Sequence, residues 1–409
     1  MDAVKFFRPI LGKYEMKLFN LIPLFFFLLI NTAGAAQVEK EWTFLLFLNG
    51  NNNLNRFGRD NLIDMEKIGS TNEVNIVTQW ADIEYKKTKR ILVTKSTDAT
   101  QITSPTLQDM GANVDMGNWH TLVDFIKWGV ANYPAKHYFI VVWDHGTGWH
   151  EKSLEWQKDI SHDEISGHSI STKELGLAMA EAAKVIGHKV DIYGSDACEM
   201  AMLEIATEMS DSVDLYLGSE EDIPVEGWPY SKFLRRWVDA PFSSPRDVAG
   251  MVHTEFLEFY RGLRSRLKQA TFSLFDLNET EQMIHAISQF GNEVRKISGA
   301  NLPKAHEALI QTLPITVDYL DLLDFADQLR AANLEGLNIQ VFQDLYTAAT
   351  SYVLLNGATP RFEKKAKGIS IWLPSSFRWY NLYLAKYKNL KFSGLTHWEE
   401  NISILQQNK

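Results

Sequence analysis

The 409-residue chain has a single cysteine, Cys198. A lone cysteine cannot close an intramolecular disulfide, so no disulfide framework holds this fold. Basic clusters are missing as well. The formal charge is −10, which gives nucleic-acid binding no electrostatic support. There are no internal repeats, and no low-complexity segment beyond one N-terminal apolar run, which excludes collagenous and long disordered architectures. The chain is 45% hydrophobic and 12% aromatic, enough to bury a sizeable core. Its length suggests two domains, or one large domain with additions.

The apolar run is Met16-Lys-Leu-Phe-Asn-Leu-Ile-Pro-Leu-Phe-Phe-Phe-Leu-Leu-Ile30, followed by the small residues of Asn31-Thr-Ala-Gly-Ala-Ala36. A basic start, an apolar centre and a small-residue site form a secretory signal pattern, with cleavage expected after Ala35 or Ala36. Residues 1–15 read as an upstream extension. The run is short for a bilayer span and Pro23 interrupts it, so membrane contact is expected only through an uncleaved segment. Export to the periplasm, the cell surface or the medium follows. In an exported chain an unpaired cysteine reads as a reactive thiol, against the plainer alternative of a small buried apolar residue.

Continuous apolar runs at Glu41–Gly50, Val74–Trp80, Tyr138–Trp143, Val190–Tyr193, Val213–Gly218, Phe272–Phe275 and Ile369–Leu373 fit strands buried on both faces. Helical periodicity lies between them, at Leu54–Ile68, Trp119–Ala131, Thr172–Ile186, Cys198–Met209 and Asp247–Leu263. This alternation predicts an α/β layered fold on a mainly parallel sheet, with ligands beyond the carboxyl ends of the strands. Arg90–Thr94 is expected to form a local hairpin, and 98–117 and 150–169 read as loops. A soft boundary near Pro241-Phe-Ser-Ser-Pro245 divides a core at 37–240 from a helix-rich region at 241–409 that completes or packs on it.

Cys198 follows one apolar strand and leads into a helical pattern, where free amides and the helix dipole would favour a thiolate. A nucleophilic cysteine needs a base, and His145 ends another apolar strand in Trp143-Asp-His-Gly-Thr-Gly-Trp149. If the two strands are parallel neighbours, both side chains project from one edge. Gly146 has no side chain to keep its amide from a substrate, so the Gly146 and Cys198 N–H groups could hold an oxyanion. His145, His150, His162 and His168, with Asp163 and Glu164 among them, match no compact zinc spacing. The Asn-rich loop after the first strand lacks a phosphate-cradling glycine pattern.

The His-Gly strand end, followed by Ser195-Asp-Ala-Cys-Glu-Met200, resembles the clostripain-like cysteine peptidases, relatives of caspases, gingipains and legumains. The resemblance extends to Asn49-Gly-Asn-Asn-Asn-Leu54 with Asp60-Asn-Leu-Ile-Asp-Met-Glu66. It also takes in Gly218-Ser-Glu-Glu-Asp-Ile-Pro-Val-Glu-Gly-Trp-Pro-Tyr230, Asp321-Leu-Leu-Asp-Phe-Ala326 and Gly368-Ile-Ser-Ile-Trp-Leu-Pro374. It implies a caspase-like three-layer α/β/α sandwich, with Cys198 as nucleophile and His145 as general acid/base. The substrates implied are peptides or proteins with Arg or Lys before the scissile bond.

By the same resemblance Asp196 helps form the pocket for the basic side chain, which a carboxylate would pair. The alternative role for Asp196 is to cap the helix that follows. Glu220, Asp222 and Glu226 are candidates for a second pocket carboxylate, and Trp228 and Tyr230 for its walls. Glu199, beside the cysteine, departs from the family's apolar or small residue and could raise the thiol pKa. Family members can mature by cutting themselves between the His and the Cys, where Lys152 and Lys158 lie. The chemistry needs no cofactor. Calcium activation is a family property, although no calcium-loop pattern occurs. The alternatives are a catalytically silent scaffold and a transpeptidase.

Overall fold

The computed structural model describes residues 38–150, 159–263, 269–316, 318–374 and 376–406. The expected signal segment, Lys152 and Lys158 lie outside the described residues. The apolar runs become strands β1 Lys40–Gly50, β2 Val74–Asp82, β5 Ala135–Trp143, β8 Val190–Asp196 and β9 Val213–Gly218. Shorter strands are β3 Lys87–Leu92, β4 Thr106–Gly111, β6 Ile160–Asp163, β7 His168–Ile170, β10 Thr271–Asp276, β11 Tyr319–Asp321, β12 Val353–Ala358 and β13 Ser370–Trp372.

Nine of these strands form one sheet, ordered β12-β10-β9-β8-β5-β1-β2-β3-β4. The five central strands pair in parallel, and the outer strands on both sides pair antiparallel. Parallel strands need helices on both faces, and alternation along a strand sends successive side chains to opposite sides. Along β5, Tyr138, Ile140 and Val142 enter one apolar core, while Phe139, Val141 and Trp143 enter the other. The second core is closed by helices α1 Asn55–Glu66, α5 Tyr230–Asp239 and α6 Pro245–Gly262. The first is closed mainly by α2 Trp119–Asn132, α3 Thr172–Ile186, α4 Leu203–Met209 and the helices of the last third. The result is the expected three-layer sandwich, and β10 and β12, both beyond residue 240, extend the same sheet.

Local signals fix the helix ends. Ser171 and Glu174 make a reciprocal capping box at the start of α3, and Gly187 ends it in the left-handed region. Ser244 caps α6, with Pro245 in its first turn.

The strand expected at Ile369–Leu373 does form, but β13 pairs with β11 in a separate two-stranded sheet. The 98–117 loop contains the exposed edge strand β4, and the 150–169 loop contains the β6–β7 hairpin. No helix among the described residues is long and apolar enough to cross a membrane.

Candidate active site

Strands β5 and β8 are neighbours in parallel register, and their last pair is Trp143 opposite Asp196. The Asp144 amide donates to the Asp196 carbonyl at 3.3 Å, continuing the pairing by one step. His145 and Cys198 each stand two residues beyond that last pair. The register therefore brings them to the same place on the carboxyl edge of the sheet, and both line one cavity of about 310 Å³.

The chain does not enter a helix at Cys198. Helix α4 starts only at Leu203, and its N-cap Met202 makes no side-chain cap. Residues 199–201 instead stay alongside the segment after β9: the Glu199 amide donates to the Glu221 carbonyl and the Ala201 amide to the Ser219 carbonyl. Glu199 adopts a φ of 61°, a left-handed turn that a helix could not contain. The helix dipole expected to favour a thiolate is thus absent at Cys198. Asp196 caps no helix either.

The Ile223 amide donates to Cys198 Sγ at 3.3 Å. Burial pushes the thiol pKa far up, and the negative charge of Asp222 adds to this. The Ile223 N–H opposes the shift, and Glu199 raises it less than Asp222 does. Of the two acids that raise it, Asp222 weighs more than the chain neighbour Glu199.

His145 Nε2 lies 2.7 Å from Asn53 Oδ1. Asn53 belongs to the loop between β1 and α1, a contact that motif reading did not single out. That loop is held from the histidine side, since Asn49 Nδ2 and Asn52 Nδ2 donate to the two oxygens of Asp144, at 3.0 and 2.6 Å. The only signal in the sequence was the run of asparagines ending β1.

Asp196 is buried and lines the cavity. Its Oδ2 accepts from the Trp228 amide at 3.1 Å and from the Tyr230 hydroxyl at 2.8 Å. Burial raises its pKa to about 7, against the pull of those two donors. Gly227 sits so close that a Cβ there would come 3.0 Å from Asp196 Oδ2. Asn61 accepts from the Trp143 indole N–H and donates to the Glu226 carbonyl, which ties α1 to both walls.

The other sequence candidates divide. Asp222 lines the cavity and is exposed. Glu220 is not brought to it: fully buried, it pairs with Asp321 and accepts from the Gly368 amide at 3.1 Å. Trp228 does not wall the cavity with its ring, which packs edge-on against Phe272 in the core. Its contribution is the backbone N–H on Asp196. Glu226 is not among the cavity residues, and its carbonyl accepts from Asn61 Nδ2.

The remaining histidines are scattered. His150 is buried against Tyr383 and Asp318, His162 meets Ser169, and His168 meets Asp115. Among the described residues no group of three or more His, Cys, Asp or Glu side chains is placed to hold a metal ion.

Three comparisons bear on this arrangement. The family model of the peptidase C11, clostripain family matches residues 46–404. Among solved structures, a secreted C11 cysteine protease from Bacteroides thetaiotaomicron with an irreversible peptide inhibitor is 18% identical, with a TM-score of 0.66. The match covers 88% of this chain and 99% of that one. An inactive zymogen C11 protease from Parabacteroides distasonis is also 18% identical, with a TM-score of 0.68 over 88% of this chain and 99% of that one. At these identities the structures establish the shared fold. No curated protein sequence gives a significant match. The family match spans nearly all of the described residues, and the chain belongs to the clostripain family of cysteine peptidases.

Proposed function

We propose that this clostripain-family cysteine peptidase is an exported endopeptidase that cuts after Arg or Lys, with Cys198 as nucleophile and His145 as acid/base. The observation that carries this reading is the β5–β8 register. It sets the histidine and the thiol at matching positions on one edge, in one cavity with the buried Asp196 carboxylate.

The His145 imidazole takes the proton of the Cys198 thiol as sulfur forms a bond to the scissile carbonyl carbon. The Gly146 and Cys198 amides hold the oxyanion. His145 then returns the proton to the leaving amine as the C–N bond breaks, leaving a thioester. Water attacks the thioester, gives a proton to His145 and releases the acid, and the proton passes back to sulfur.

The substrate's cation supplies what Asp196 lacks when the cavity is empty. A buried carboxyl raised to about 7 ionises readily once a guanidinium or ammonium lies against it. Asp222 at the rim adds a second negative charge on the same path.

Export rests on the signal pattern at 16–36, and sequencing the mature N-terminus tests it. Cleavage at Lys152 or Lys158 would appear as two fragments in the same material, and a chelator comparison tests calcium dependence.

The central experiment is a positional peptide library cut by the wild type, Cys198→Ala and Asp196→Asn. Cys198→Ala is expected to abolish cleavage. Asp196→Asn is expected to lower kcat/KM for basic peptides by about 100-fold or more, as a desolvated charge loses its partner. A fully active Cys198→Ala variant would sink the dyad, and unchanged basic selectivity in Asp196→Asn would sink the pocket.

A further inference from the structure

We infer that Asn53 is a positioning residue of the reaction: its side-chain oxygen fixes the tautomer and direction of the His145 imidazole. This rests on the reading of His145 as the acid/base. A neutral imidazole has one N–H and one lone pair, and only the nitrogen with the lone pair can take the thiol proton. An amide oxygen accepts and never donates. With Asn53 Oδ1 2.7 Å from Nε2, the proton of the neutral ring must sit on Nε2. Nδ1 then carries the lone pair and is the atom that receives the proton from Sγ. The resulting imidazolium still donates from Nε2 to Asn53. The contact therefore persists through proton transfer and strengthens when the ring is charged.

Asn53 is exposed, so its fixation has to come from its neighbours. Asn51 and Asn52, both buried, precede it. Asn51 Nδ2 donates to Asp163 at 2.8 Å, and Asn52 Nδ2 donates to Asp144 and to the His162 carbonyl. Asn52 Oδ1 in turn accepts from the Leu54 amide at 2.9 Å, bracketing Asn53 on its far side. Asp144 thus holds the loop that holds the next residue in its own chain, His145. A rigid bracket of this kind gives a single amide useful directional control.

Several ionisable groups line the same cavity as this imidazole. They are Asp144 on its own loop, Asp196 and Cys198 from the end of β8, and Asp222 from the segment after β9. Asn53 itself is uncharged, so replacing it by an acid or by a non-acceptor moves the histidine in opposite directions.

The test is steady-state cleavage of an Arg-containing peptide across pH by Asn53→Ala, Asn53→Asp, His145→Ala and Cys198→Ala. In a dyad that starts from thiol and neutral imidazole, the acidic limb of kcat/KM reports His145 in the free enzyme. Asn53→Ala is expected to lower kcat by about 10- to 100-fold with KM within about twofold, and to move the acidic limb to lower pH. Asn53→Asp keeps an acceptor, so it is expected to recover most of the lost kcat and to move the limb to higher pH. If Asn53→Ala matches wild type with an unmoved limb while His145→Ala and Cys198→Ala are dead, the positioning role falls and the dyad stands. Equal losses in Asn53→Ala and Asn53→Asp with no opposite shift also overturn it. An active His145→Ala removes both.

Discussion

Gly146 faces the backbone of Cys198 so closely that a Cβ on it would stand 2.3 Å from the Cys198 carbonyl oxygen and 3.1 Å from its amide nitrogen. Those neighbours are main-chain atoms, which cannot swing aside. Gly146→Ala is therefore expected to push apart the loops that carry His145 and Cys198. A loss of about 100-fold in kcat/KM should accompany a lowered Tm. Retention of wild-type kcat/KM would show that the loops do not need this contact.

The thiol offers a second test. Asp222, exposed at the cavity, raises the Cys198 pKa more than the adjoining Glu199 does. Asp222→Asn is expected to lower the pH at which iodoacetamide alkylates Cys198, and by more than Glu199→Gln does. The reverse order would assign the suppression of the thiolate to the chain neighbour.

A third prediction concerns the buried acids. Asp196, Glu204 and Asp321 are each raised to about 7, chiefly by burial. Glu220 is also raised, by burial and by Asp321 beside it. The native state thus keeps protons that the unfolded chain releases near the ordinary carboxylate range. The stability these groups contribute is complete below about pH 4 and is lost as pH rises through about 7. Tm should fall from about pH 5 to about pH 8, and Glu220→Gln should flatten that fall. A Tm that stays level or rises over this window in the wild type contradicts the buried protonated pair.

Much of the fold was legible because strands buried on both faces leave unbroken apolar runs, and β1, β2, β5, β8 and β9 fell where those runs lay. Asp196 and Asp222 line the cavity. Glu220 and Trp228, in the same stretch, do not. A loop that leaves a strand alternates direction, and its side chains go to whatever partner is near. For Glu220 this was Asp321, for the Trp228 ring it was the aromatic core, and neither partner is visible in local sequence.

The expected start of helix α4 at Cys198 was wrong for the same kind of reason. The apolar spacing after Cys198 is genuine, since Met200, Ala201 and Met202 are buried. The amides of Glu199 and Ala201 are nevertheless taken by the segment after β9, which delays the helix to Leu203. Asn53 lay within the Asn49–Leu54 landmark, but its contact with His145 depends on a loop brought across from another strand.

By itself the sequence determined the chemistry on offer. One thiol, one His-Gly strand end and an aspartate two residues before the cysteine are covalent facts, and apolar runs of strand length dictate a buried sheet. Tertiary structure decided which of these groups meet. The β5–β8 register put Cys198 and His145 at matching positions on one cavity, the β1 loop set Asn53 Oδ1 against the imidazole, and the segment after β9 set Asp222 ahead of Glu199 in raising the thiol pKa. Such choices depend on through-space distance and burial between segments far apart in the chain, quantities that residue order does not carry.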